Sequence, residues 1–347
     1  MLRYLWVEQF GPHIPEGATL EATLIRQGRL DKTATKMAIE TLPFAGNGVN
    51  VSKAQTAEKA LELAGLNWDA KTGPIYDADM KVIEGHKGIY RSDTNMCLGV
   101  TGKRFVPIQN SESFAIAQTL MGDFGANIEV AGHVKGGRNV WAVLQAPGKL
   151  MIAGEEHMKY MLMFNAHTGR CSLKALMMPH RTACFNIVNP NIRVGQKEER
   201  VVIVRHTENY DLRVQEARKI LKFSEEYFKT FQNVAQGLAD EKFSKADFEK
   251  MVNTMFPKPE PKKSDGEVSK RAITNWTDQV DGIMLAYNMD NLNNIRETKY
   301  GAFNAMQWYS DKGRAFKGDT LAQLETAFLR PVQDTKIKDE AFAYLIR

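Results

Sequence analysis

Eight basic side chains and one large aromatic ring fall within a single stretch of strand-forming sequence: Lys135, Arg138, Trp141, Arg170, Lys174, His180, Arg181, Arg193 and Arg205. Guanidinium and ammonium groups neutralise phosphate charge, and an indole face can stack on a nucleobase. Residues 101–205 hold 13 Lys and Arg against 7 Asp and Glu, a formal +6; the whole chain is +5, which leaves −1 for the rest. A positive field confined to one segment suits an anionic polymer better than a small substrate. The competing reading is a solvated basic sheet face with no partner. Trp141 alternates with Val140 and Ala142 in an apolar strand, so core packing competes with base stacking there.

Other constellations point to less. Glu155-Glu156-His157 has metal-ligand residue types, but it follows Gly154 in a polar turn and reads as a solvated loop. His167 and Cys171 lie four apart across a turn, and a strand-turn histidine beside a buried thiol accounts for them without nucleophilic catalysis. There is no GxxxxGK[ST], no GxGxxG opening a βαβ unit, no HExxH and no GxSxG, which argues against nucleotide-driven, dinucleotide-dependent and hydrolytic chemistry. No catalytic residue, cofactor or metal is therefore assigned. Cys97, Cys171 and Cys184 are odd in number and lack CxxC spacing, which fits buried, inert thiols in a reducing cytoplasm. No run approaches the roughly 18 apolar residues of a membrane span. The apolar N-terminus is broken by Glu8, so no signal peptide is expected.

The elements that must position the basic residues follow from periodicity. The expected fold class is α+β: a bent antiparallel β-sheet with a packed helix, followed by a helical C-terminal region. Residues 1–50 read as an N-terminal arm with one short helix over Arg26–Lys36. Residues 51–205 form the basic α+β core, and 206–347 a helical region with a linker at 257–268. A helix capped by Ser52 is expected through Ala64, and a second capped by Asn110 or Ser111 and ended near Gly122 or Gly125. Strands over Ile128–Val134 and Asn139–Gln145 flank Lys135-Gly136-Gly137-Arg138, where Gly-Gly suits a two-residue hairpin turn with Lys135 and Arg138 at its tip. Tyr160–Ala166 and Ser172–Met178 flank the turn His167-Thr168-Gly169-Arg170. Pro179-His180-Arg181-Thr182 starts a further element. Leu212–Leu238 is a long amphipathic helix, Ser244 caps a short one, and others run over about 269–289, 298–310 and Leu321–Phe328.

One ordered set of motifs is familiar. It runs Tyr90-Arg91-Ser92-Asp93-Thr94, Leu98-Gly99-Val100, Phe105-Val106-Pro107-Ile108-Gln109-Asn110 and Phe114. It continues with Gly137-Arg138-x-Val140-Trp141-Ala142, Asn165-x-His167-x-Gly169, Pro179-x-Arg181-x-x-Cys184-x-Asn186 and Val204-Arg205-His206-Thr207. It closes with Tyr300-Gly301-Ala302-Phe303-Asn304-Ala305 and Tyr309. Over about 66–345 the chain resembles the phage/plasmid-like protein family, catalogued as a domain of unknown function in phages, plasmids and bacteria. The resemblance implies a mobile-element setting and supplies no activity. In architecture the order of helix, bent basic sheet and helices is similar to phage single-strand annealing recombinases. That likeness implies rings or filaments that hold one strand in a basic groove without ATP.

The function expected is ATP-independent single-stranded DNA binding and strand annealing in phage-type recombination, by a non-catalytic homo-oligomer in the cytoplasm of a bacterial host. A phage exonuclease or a host single-strand-binding protein is the partner such a role implies, and no membrane is involved. Two alternatives stay open: a structural or anti-host interaction protein of a mobile element, or a nucleic-acid-modifying enzyme.

Overall fold

A computed structural model of the 347-residue chain describes residues 48–169, 173–181, 186–187, 190, 192–194, 197–204, 210–260, 266, 268–315 and 320–347. Of the expected arm, residues 1–47, including its helix over 26–36, lie outside the described residues, while Val49 and Asn50 pair with Ala131 and Val130 as part of the sheet.

The strands are β1 (Val49–Asn50), β2 (Ala70–Gly73), β3 (His86–Arg91), β4 (Cys97–Gly102), β5 (Asn127–Val134), β6 (Asn139–Ile152), β7 (Glu155–Ala166), β8 (Leu173–Arg181), β9 (Asn186–Ile187), β10 (Ile192–Val194), β11 (Lys197–Glu199) and β12 (Val201–Val204). The helices are α1 (Ala57–Leu63), α2 (Asn110–Phe124), α3 (Tyr210–Asp240), α4 (Lys245–Met255), α5 (Lys270–Tyr287), α6 (Lys299–Trp308), α7 (Thr320–Gln333) and α8 (Lys336–Leu345). The main sheet is antiparallel in the order β1-β5-β6-β7-β8-β12, with β9 also paired to β8; β2-β3-β4 form a small second sheet. This is the α+β class that periodicity predicts, with an antiparallel sheet and a helical C-terminal region from Tyr210 onward. Register shifts between Ile128 and Val130 and between Gln145 and Lys149 mark irregularities that bend the strands locally.

Both faces of the main sheet are covered, which is why its strands read as near-continuous apolar runs. On β6, Val140, Ala142 and Leu144 join a core that includes Phe114, Ala117 and Leu120 of α2 and Ile220, Tyr227 and Phe231 of α3. Trp141 and Val143 point the other way, into a second cluster with Tyr160, Leu162 and Phe164, closed by Phe328 and Leu329 of α7. Alternation along a pleated strand sends neighbours to opposite faces, so each face needs its own helical cover.

Several boundaries differ from expectation for identifiable reasons. Ser52 does not cap α1; its hydroxyl and N–H bond to Asn50, and the Thr56 hydroxyl accepts from the Lys59 N–H instead. Asn110 does not cap α2 because its amide is buried, donating to the carbonyls of Leu66 and Trp68. The cap position is Gln109, whose N–H donates to Glu112 while its side chain pairs both ways with the Ala70 backbone and pins α2 to β2. Residues 179–181 start no new element: Pro179 pairs with Lys159, and β8 runs on through Arg181. The helix expected over Leu321–Phe328 is α7, which runs on through Pro331 to Gln333, and a further helix, α8, follows it unforeseen.

The Gly301 position explains one family-like motif. α6 starts so close to the preceding turn that a Cβ on Gly301 would collide with the Ile295 carbonyl oxygen, a backbone atom that cannot swing away. Gly301→Ala is expected to cost about 1–3 kcal/mol of stability by overpacking. A urea midpoint equal to that of the unsubstituted protein would show that the helix start has room to shift.

Candidate nucleic-acid interface

Among the described residues, the hairpin between β5 and β6 holds the predicted site residues that are exposed. Pairing ends at Val134 opposite Asn139, so four residues form the loop rather than two. Lys135, Gly136 and Gly137 take φ values of 54°, 67° and 100°, successive left-handed residues that only glycine adopts without cost. Neighbouring side chains also crowd the turn. A Cβ on Gly136 would lie 2.6 Å from the Met96 side chain, and one on Gly137 2.9 Å from the Trp68 ring. Arg91 braces the turn: its Nη1 donates to the Gly136 carbonyl at 3.1 Å, its guanidinium chelates Asp93, and it lies 4.4 Å above the Trp68 ring. The hydrogen bond and charge of Arg91 hold the Asp93 carboxyl below its usual range. With the backbone held from below, the side chains of Lys135 and Arg138 stay exposed to solvent.

A second turn lies beside the first. The His167 N–H donates to the Arg138 carbonyl at 2.8 Å, which sets the start of the β7–β8 turn against the β5–β6 turn. Lys174, opposite Phe164 near the start of β8, is half-buried at the same end of the sheet. Lys135, Arg138 and Lys174 thus gather at one end. Arg170 and Arg205 lie outside the described residues. Arg193 is in β10, opposite Glu198, and its side chain lies outside them too.

Three of the expected contact residues are corrected by burial. Trp141 is 1% exposed and stacks on Phe328 with ring centroids 4.7 Å apart, so it is core in this structure. His180 and Arg181 sit at the far end of β8. Arg181 lies seven positions beyond Lys174, roughly 23 Å along an extended strand. Arg181 is fully buried: its Nε and Nη2 donate to Glu155 at 2.5 and 2.7 Å, and Nη2 also reaches the Asn291 carbonyl. Asn294 donates to the same carboxylate. Sequence reasoning overlooked this pairing because Glu155 and Arg181 are 26 residues apart and meet only through the β7–β8 register.

The remaining polar constellations are structural. Glu155 serves Arg181, Glu156 pairs with Lys149, and a ring nitrogen of His157 is 2.7 Å from the Tyr300 hydroxyl. Among the described residues no group of three or more His, Cys, Asp and Glu is placed to hold a metal. His167 bonds Asn110 through Nε2 at 2.8 Å and meets Trp68 edge-on. Burial pushes His157 and His167 down to about 4 and His180 down to about 3. Charge from Arg181 adds to the lowering at His157, and Lys312 and His157 add to it at His180. All three imidazoles are neutral at pH 7. Cys97 is a free thiol and is exposed, not buried as expected, because it opens β4 at the edge of the small sheet; Cys171 and Cys184 lie outside the described residues. Among the described residues no helix is long and apolar enough to cross a membrane. Arg91, and Glu325 of α7, whose carboxylate accepts from the Lys135 N–H, are the residues at the turn that sequence reasoning missed. Arg91 stood in a quoted motif, but nothing in its spacing indicated that it would brace a turn 45 residues away.

The chain is thus an α+β protein whose antiparallel sheet is covered by helices on both faces and whose exposed basic turn is rigidly braced. Residues 97–341 match the family described as Domain of unknown function (DUF932), and the chain belongs to that family. No curated protein and no solved structure matches it.

Proposed function

We propose that the protein binds the backbone of single-stranded nucleic acid at the end of the sheet carrying Lys135, Arg138 and Lys174, and that it anneals complementary strands without nucleotide hydrolysis. The observation that carries this reading is the braced turn at 135–138, which presents two exposed cations beside a second turn within the +6 segment. Contacts of this kind go to phosphates, give affinity without sequence choice and weaken as salt rises. One such surface holds few nucleotides. Copies repeated head to tail, closing into a ring or extending as a filament, lengthen it.

The test is a titration of labelled single- and double-stranded oligonucleotides across a salt series. Single strands should bind more tightly, with affinity falling steeply as salt rises. The double substitution Lys135→Glu with Arg138→Glu should weaken binding roughly 10- to 100-fold at low salt. It should change stability by no more than about 0.5 kcal/mol, as expected for exposed positions. Loss of folding together with binding would make both residues structural. No binding to any oligonucleotide at low salt would end the reading.

A further inference from the structure

The 135–138 turn has an acidic tenant from a distant part of the chain. The backbone N–H of Lys135 donates to the Glu325 carboxylate, 190 residues away, on α7. This N–H opens the run of left-handed residues at 135–137. Backbone N–H groups in such turns form anion-binding concavities, and here Lys135 and Arg138 add exposed positive charge. Arg91 and Glu325 both lie within electrostatic reach of His133, on the strand leading into the turn. One turn further along α7, Phe328 stacks on Trp141 at 4.7 Å and on Phe164 at 6.4 Å, which holds the helix over the sheet and the carboxylate over the turn.

We infer that Glu325 occupies an anion site that a backbone phosphate of the nucleic acid takes when it binds, which makes α7 an internal competitor of the ligand. The inference rests on the proposed nucleic-acid binding and adds a regulatory contact to that same site. A carboxylate oxygen and a phosphodiester oxygen offer the same acceptor chemistry to an N–H group, and both carry negative charge that the flanking cations favour. A phosphate can reach the Lys135 N–H only when Glu325 has left it. The aromatic stack on Phe328 returns the helix when the strand dissociates. Resting affinity is thus set by competition within the chain.

Two isosteric variants of equal net charge provide the test, using the full chain and a labelled single-stranded oligonucleotide at low salt. Glu325→Gln removes the competing charge at the turn. Glu340→Gln removes one charge from α8, where Glu340 pairs with Lys336. Glu325→Gln should bind about three- to fivefold more tightly than the unsubstituted protein, the scale of one partly exposed charge contact. Glu340→Gln should match the unsubstituted protein. Hydrogen exchange should also show the α7 amides around 325 losing protection when the oligonucleotide binds. If the unsubstituted protein binds but Glu325→Gln gains nothing over Glu340→Gln, or α7 gains protection, the competitor role is overturned and the binding reading stands. If none of the three proteins binds, both fail.

Discussion

Between pH 6.5 and pH 4.5 the protein is expected to lose on the order of 5–8 kcal/mol of folding stability, enough to unfold a typical domain. Three imidazoles produce the loss. His157, His167 and His180 are 0%, 1% and 4% exposed, so water does not screen the cost of charging them. Their folded-state values lie near 4, 4 and 3, against about 6.5 in an unfolded chain. The sign follows from proton counts. Above pH 6.5 both states hold these rings neutral, and the contribution is complete. As pH falls below 6.5 the unfolded chain takes up protons that the folded chain refuses, so stability drops until the folded values are reached near 3–4. Each group then costs about 1.4 kcal/mol per pH unit across the window. Asp93, held low by Arg91, extends the loss to more acid pH. Urea midpoints measured from pH 7.5 to pH 4.5 test this. A flat profile would show that the rings become protonated without unfolding.

The Arg181–Glu155 pair should show a signature that a phosphate-binding arginine lacks. Arg181→Met is expected to destabilise the fold by about 3–5 kcal/mol, because it strands a carboxylate among buried groups. Glu155→Leu should cost a similar amount by stranding the guanidinium, which is fully buried. The double substitution should cost less than the sum, and less than either single change, since replacing both charges by apolar groups removes the unpaired charge itself. The Asn291 carbonyl and Asn294 amide would then need new partners, so some cost remains. Binding to an oligonucleotide, measured where each variant is fully folded, should be unchanged. Strict additivity of the two single changes, or weakened binding by folded Arg181→Met, would argue for a surface role instead.

Much of the architecture was legible along the chain because it is written in local patterns. Apolar runs on either side of the Gly136-Gly137 pair marked the β5–β6 hairpin. A 3.6-residue stripe marked α3, and the charge count singled out the segment that carries the exposed turn. The errors cluster where a long-range contact competes with a local signal. Ser52 and Asn110 are good caps by type, yet one bonds to Asn50 and the other is drawn into the core by Leu66 and Trp68. Pro179 looked like a boundary, but it occupies a strand position opposite Lys159.

The site divides in the same way. Sequence by itself determined which side chains are cationic, that they concentrate in one sheet-forming stretch, and that Lys135 and Arg138 flank a tight turn, because composition and turn chemistry are properties of neighbouring residues. Only the tertiary structure decided which cations face water. Arg138 and Arg181 are the same residue type in the same charged segment, yet one is at an exposed turn and the other is sealed against Glu155. Trp141 is core because α7, nearly 190 residues later in the chain, brings Phe328 onto it, and the same helix delivers Glu325 to the turn. Burial depends on what packs from elsewhere, and a carboxylate meets its partner through strand register and helix docking. Neither can be read from the spacing of residues along one strand.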